Sequence, residues 1–114
     1  MAQVIYKICR AGEWAEAMAA GEYRGSEHDR RDGFIHFSTA AQMRETAAKH
    51  FAGQADLVLV AVDAAVLGGK LAWEPSRGGE LFPHLYDVLP TSAALTVTPL
   101  PLSPDGQHQF PETG

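Results

Sequence analysis

Apolar and polar positions alternate at the start of the chain. Val4, Tyr6 and Ile8 share one face of an expected strand over residues 3–8. The period then changes. Trp14, Ala17 and Met18 stand at i, i+3, i+4 spacing, which predicts a helix over residues 10–20 with Gly21 as its C-terminal stop. Residues 22–25 read as a short extended piece. Residues 26–32 (Ser-Glu-His-Asp-Arg-Arg-Asp) hold no apolar side chain and are expected to form a charged loop closed by Gly33. Alternation returns over residues 34–38, where Ile35 and Phe37 face the core and Phe34, His36 and Ser38 face the other way. A helix over residues 40–52 follows, opened by a Thr39/Gln42 capping box and buried along Ala40, Met43, Ala47 and Phe51.

Residues 56–63 (Asp-Leu-Val-Leu-Val-Ala-Val-Asp) are apolar on both faces, the pattern of a central strand covered on both sides. Residues 64–67 read as one helical turn, residues 70–74 as a strand with Trp73 toward the core, and residues 75–79 as a loop. Residues 81–86 are extended. Pro83 has no N–H to donate, so an edge or irregular position is expected there. After a turn at 90–93, residues 95–100 form the last strand, and the Pro- and Gly-rich residues 101–114 are expected to be a flexible tail. Strands outnumber helices and do not alternate regularly with them. The expected architecture is a single α+β domain over residues 1–100, with two main helices and a twisted mixed or antiparallel sheet, split or barrel-like.

A chain of 114 residues is long enough for one domain with a real core. Its net charge is -5 and its nine Lys and Arg residues are scattered, so no nucleic-acid partner is expected. No apolar run approaches the ~20 residues that cross a bilayer, and no leader pattern opens the chain. Cys9 is the one cysteine, expected to be a small buried residue at the end of the first strand. These features predict a cytoplasmic protein without a membrane partner.

Two segments carry candidate chemistry. His36 and Ser38 share a strand face that leads into a helix start, where free N–H groups favour anions. His36 can act as acid or base, or donate to a sugar hydroxyl or a phosphate. Thr39 fits the helix cap. The second segment is Arg-Gly-Gly-Glu-Leu-Phe-Pro-His-Leu-Tyr at 77–86, where Glu80, Phe82, His84 and Tyr86 share a face of extended chain. Arg77 is a natural clamp for a carboxylate or phosphate, and Glu80 can serve as a base or bind ribose hydroxyls. The expected catalytic residues are therefore His36 and Glu80. The expected ligand-binding residues are Ser38, Thr39, Arg77, His84 and Tyr86. No Gly-rich phosphate loop or nucleophile elbow is present. His36, His84, Glu80 and Asp32 are metal-ligating types, but none pair at i, i+4 on an expected helix and no Cys cluster accompanies them. No metal ligand is assigned. Three readings stay open: an enzyme-like pocket for a small molecule, a non-catalytic binding or interaction module, and a metal-binding protein.

The run Gly-Phe-Ile-His-Phe-Ser-Thr at 33–39, then Gln42, Thr46 and Phe51, then residues 57–63, Trp73 with Glu74, residues 79–86 and Leu89 with Pro90 are similar to the small bacterial domain of unknown function 952. The resemblance covers nearly all of the chain before the tail. It implies a fold like that of ADP-ribosyltransferases and of RNA 2′-phosphotransferases that use NAD. By that resemblance NAD is the candidate cofactor, the ligand is a ribosylated or phosphorylated small molecule, and the reaction is transfer or hydrolysis at a ribosyl carbon. His36 would stand where those enzymes often place an aromatic residue of the nicotinamide pocket. Lys7 follows Tyr6 where their first strand usually carries His, and Glu80 is the candidate for their late catalytic Glu.

Overall fold

The first alternating stretch forms a strand in the computed structural model, which describes residues 3–111. β1 (Val4–Arg10) extends past Ile8 and pairs antiparallel with β4 (Leu57–Asp63), from Val4 opposite Asp63 to Arg10 opposite Leu57. β4 also pairs with β8 (Ala94–Leu100), so it is the central strand, as its two apolar faces require. Ile5, Cys9, Val60 and Val62 are buried with Trp14, Tyr23 and Ile35 in one apolar cluster. Ile8, Leu57, Leu59 and Leu100 form a second with Met43 and Ala47.

α1 (Ala11–Ala20) ends as expected, with Gly21 at φ 85° donating its N–H to the Ala17 carbonyl. Trp14 and Ala17 are buried, but Met18 is 57% exposed, so the buried stripe is narrower than expected. β2 (Glu22–Tyr23) pairs with the later β7 (Leu89–Pro90). The expected helix over residues 40–52 is shorter. A turn precedes α3 (Met43–His50), and the Gln42 Oε1 accepts the Thr39 N–H at 3.0 Å, one arm of the expected capping box.

A third sheet has the order β3-β6-β5, built from β3 (Ile35–His36), β6 (Leu81–Leu85) and β5 (Leu71–Pro75). Pro83 thus lies in a central strand, not at an edge. The Phe37 N–H donates to the Pro83 carbonyl at 2.9 Å, but Pro83 has no N–H to return, and the β3 ladder stops there. Trp73 also departs from expectation: on edge strand β5 it is 37% exposed. All strand pairings among the described residues are antiparallel, in separate sheets that do not close, which removes the mixed and barrel-like alternatives.

Residues 101–111 lie against the domain. Leu102 bridges His108, the His108 ring meets the Gln54 carbonyl at 2.9 Å, and Arg44 lies 5.0 Å over the Phe110 ring. The rest of the expected tail, residues 112–114, falls outside the described residues. Among the described residues, no helix is long and apolar enough to cross a membrane.

Candidate functional site

The charged stretch expected to be a loop is a helix. The Ser26 Oγ accepts the Asp29 N–H at 3.1 Å, and the Asp29 Oδ2 accepts the Ser26 N–H at 2.9 Å. This reciprocal capping box opens α2 (Glu27–Asp32), and Gly33 at φ 88° closes it. The Ser-x-x-Asp spacing was the available signal.

Helix formation turns Asp29 inward, where it is only 1% exposed. Its Oδ2 also meets the Lys7 Nζ at 2.7 Å. Its Oδ1 faces the His36 Nδ1 at 2.5 Å and accepts the His36 N–H at 3.1 Å. Burial by itself would raise this carboxyl. The His36 hydrogen bond, followed by the Lys7 charge and hydrogen bond, overrides that and holds Asp29 well below the usual carboxylate range. Sequence reasoning missed both Lys7 and Asp29. The usable signal was Lys7 itself: alternation places it on one face with Ile5 and Cys9, and a charge in that row needs a buried partner.

Asp29 fixes the His36 ring. The other ring nitrogen, Nε2, lies 3.0 Å from the Asp32 Oδ2. His28 stacks on His36 at 4.6 Å, and Phe34 lies between the two strands' histidines, 4.6 Å from His36 and 4.1 Å from His84. His84 is buried on β6, and its Nδ1 meets the Glu74 Oε1 at 2.8 Å. The same oxygen accepts the Tyr86 hydroxyl at 2.7 Å. Hydrogen bonds from Tyr86, then His84, lower the Glu74 carboxyl, and Glu74 in turn raises the Tyr86 phenol.

These groups border a cavity of about 390 Å³ between β1, α2, β3, β6 and α3. Its wall contains Lys7, Asp29, His36, Ser38, His84, His28 and His50 among its polar members, with Ile8, Phe37, Phe51 and Phe82 among its apolar ones. Of the expected site residues, the cavity therefore joins His36, Ser38 and His84. Ser38 is buried and its Oγ shares a 2.9 Å hydrogen bond with the Thr46 Oγ1. Glu80, Thr39 and Tyr86 are not in the wall. Glu80 is exposed and accepts from the Gln42 Nε2 at 2.9 Å, Thr39 leads into α3, and Tyr86 is held by Glu74. The side chain of Arg77 lies outside the described part of the structure. Cys9 also borders the cavity but is 2% exposed, and burial pushes its thiol up to about 12.

The chain is thus a small antiparallel α+β protein with a cavity organised around one buried carboxylate. Residues 8–97 match the profile of the family described as "Protein of unknown function (DUF952)", and the chain belongs to that family. It is similar to the protein CC0527 from Caulobacter crescentus. The crystal structure of CC0527 is 52% identical, covers 93% of both chains and has a TM-score of 0.90. Its solution NMR structure is 52% identical over 93% of this chain and 91% of that one, with a TM-score of 0.84. No curated protein matches.

Proposed function

We propose that the cavity binds a small ribosylated or phosphorylated molecule, with NAD or a fragment of it as the first candidate. The observation that carries this reading is the Asp29–His36 pair: a buried carboxylate fixes an imidazole that faces an open cavity of about 390 Å³. That volume falls in the usual range for small-molecule sites, and the wall is rich in polar and charged side chains set beside Ile8, Phe37, Phe51 and Phe82. Ser38 and His84 supply further hydrogen-bonding groups beside His36. The resemblance of the segment order to ADP-ribosyltransferases supports a ribosyl-bearing ligand. Within this reading His36 is the acid or base for transfer or hydrolysis at a ribosyl carbon. Asp29 takes the orienting role, since Glu80 stands away from the cavity wall.

A second reading, binding without turnover, draws on the other side of the ring. With Asp29 on Nδ1 and Asp32 on Nε2, neither nitrogen is free to take a proton until Asp32 moves. Calorimetry with NAD, ADP-ribose and ribose 5-phosphate, run beside an assay of nicotinamide release, tests both. Binding that weakens in His36→Gln supports the cavity, and release lost in the same variant supports catalysis. Binding without release leaves the second reading. No binding of any of the three at millimolar concentration overturns the cavity's assignment.

A further inference from the structure

His28 and Asp32 are four residues apart on α2, and the helix brings them to one face. His36 approaches that face from β3. One ring nitrogen of His28, one of His36 and an Asp32 carboxylate oxygen all come within 4.8 Å of one another. We propose that these three side chains form a binding site for a divalent transition-metal ion, for which zinc is the natural probe. The proposal goes beyond the ribosyl-ligand reading and stands without it.

The donor set is two imidazoles and one carboxylate. That set suits zinc and its first-row neighbours, whereas calcium and magnesium demand oxygen ligands. The spacing is near what such an ion needs. Bonds of about 2.0–2.1 Å place neighbouring ligand atoms roughly 3–3.5 Å apart. The Asp32 Oδ2 lies 3.0 Å from the His36 Nε2 and 3.5 Å from the His28 Nε2. The His28 side chain is 50% exposed, so its ring can turn to close the remaining gap.

The support behind His36 is the stronger argument. A metal-bound histidine donates its second ring N–H to a carboxylate or carbonyl, which fixes the tautomer and aims the ligating nitrogen. Asp29 stands in that position. It faces the His36 Nδ1 at 2.5 Å and is itself held by Lys7 and by the Ser26 N–H. With Nδ1 given to Asp29, Nε2 is the ring nitrogen left for an ion, which would replace the present 3.0 Å contact between Nε2 and the Asp32 Oδ2. Three protein ligands leave coordination positions open, as in catalytic rather than structural zinc sites. His28 and His36 both border the cavity, so those positions are within reach of a cavity ligand.

Arg31 opposes the ion through two contacts, one of them its Nε at 3.8 Å from the Asp32 Oδ1. The Arg31 Nη2 lies 2.5 Å from the His28 Nδ1, where the guanidinium donates to the ring. Metal binding through Nε2 needs the proton on Nδ1, so Arg31 must swing away. Its side chain is 70% exposed, and displacing an exposed contact costs little. Arg31 is then a competitor for the site, which gives the proposal a directional test.

The full chain, stripped with a chelator, is titrated with zinc by calorimetry and with cobalt by absorption. One ion per chain is expected, with cobalt absorption that changes in His28→Ala. His28→Ala and Asp32→Ala should each weaken zinc binding about tenfold or more, and Arg31→Ala should tighten it. Both ligand positions are surface side chains, and circular dichroism checks that each variant is folded. His36→Gln is a third ligand variant, but its core contacts make it the less decisive. No uptake at micromolar zinc overturns the proposal. So does uptake that is unchanged in both His28→Ala and Asp32→Ala, because the ion is then held elsewhere. No organic ligand enters the titration, so its failure is separate from failure of NAD binding.

Discussion

The Lys7 Nζ lies 2.7 Å from the Asp29 Oδ2, with both side chains almost fully buried, and this pair fastens the first strand to α2 at the cavity. A buried pair stabilises only when its remaining donors and acceptors are satisfied, and here Ser26 and His36 complete the carboxylate.

Removing both partners should cost less than the two single losses added together. Lys7→Met leaves Asp29 with its hydrogen bonds but without its countercharge. Asp29→Leu leaves a buried ammonium alone. Each single change is expected to destabilise the fold by about 3–5 kcal/mol, with Asp29→Leu the worse. The double variant should lose clearly less than the sum. Urea unfolding of the four proteins gives the coupling. A Lys7→Met protein within about 0.5 kcal/mol of the parent would show that the pair contributes little.

Much of the frame was legible in the residues. β1, α1 with its Gly21 stop, the central place of β4 and the burial of Cys9 all follow from local periodicity and turn chemistry. The misreadings share one cause, which is information held outside the local window. Pro83 enters a central strand because β3 is only two residues long and ends at His36, opposite His84, one residue short of Pro83. Trp73 is partly exposed because β5 is an edge, which no spacing reveals. In the site, His36, Ser38 and His84 were found from strand alternation. Asp29 was not, since a six-residue helix without an apolar stripe gives no period to detect. Its capping box was the one local sign. Without that helix, the i, i+4 pair of His28 and Asp32 could not be recognised.

Acid should unfold this protein partly through Asp29. The folded carboxyl is held below its ordinary value, and an unfolded Asp titrates near ~3.9. The unfolded chain therefore binds more protons across that window, so stability rises with pH there. The contribution is complete above about pH 5 and falls away as the pH drops through the folded value. Urea midpoints from pH 6 to pH 2 should show this acid limb, and Asp29→Asn should flatten it. A parent protein with level stability across that range would contradict the assignment.

Cys9 should resist alkylation in the folded protein despite bordering the cavity. Only the thiolate is nucleophilic, and burial pushes its pKa up to about 12. At pH 8, iodoacetamide should label Cys9 only as fast as the chain opens, and labelling should become rapid in denaturing urea. The same shift has a stability consequence of opposite sign to that of Asp29. Above the unfolded thiol value of ~8.5, the unfolded chain releases a proton that the folded chain keeps, so stability falls as the pH rises from there toward about 12. Rapid native labelling at pH 8 would mean that the cavity opens to this thiol.

Gly25 and Gly33 flank α2, and comparing them separates backbone strain from crowding at the site. Both have positive φ, at 100° and 88°. A side chain at either one is strained by roughly 1–3 kcal/mol. A Cβ at Gly33 would meet nothing within 4 Å. A Cβ at Gly25 would stand 2.7 Å from the Asp29 Cβ and 3.2 Å from its Oδ2. Asp29 cannot retreat without loosening Lys7, Ser26 or His36, so the crowding falls on the centre of the site. Gly33→Ala should therefore cost strain alone, and Gly25→Ala about 1–3 kcal/mol more. Gly25→Ala should also move the His36 ring resonances in NMR spectra, while Gly33→Ala leaves them near the parent positions. Equal losses from the two substitutions, with His36 unmoved in both, would show that the backbone at Gly25 yields before the carboxylate does.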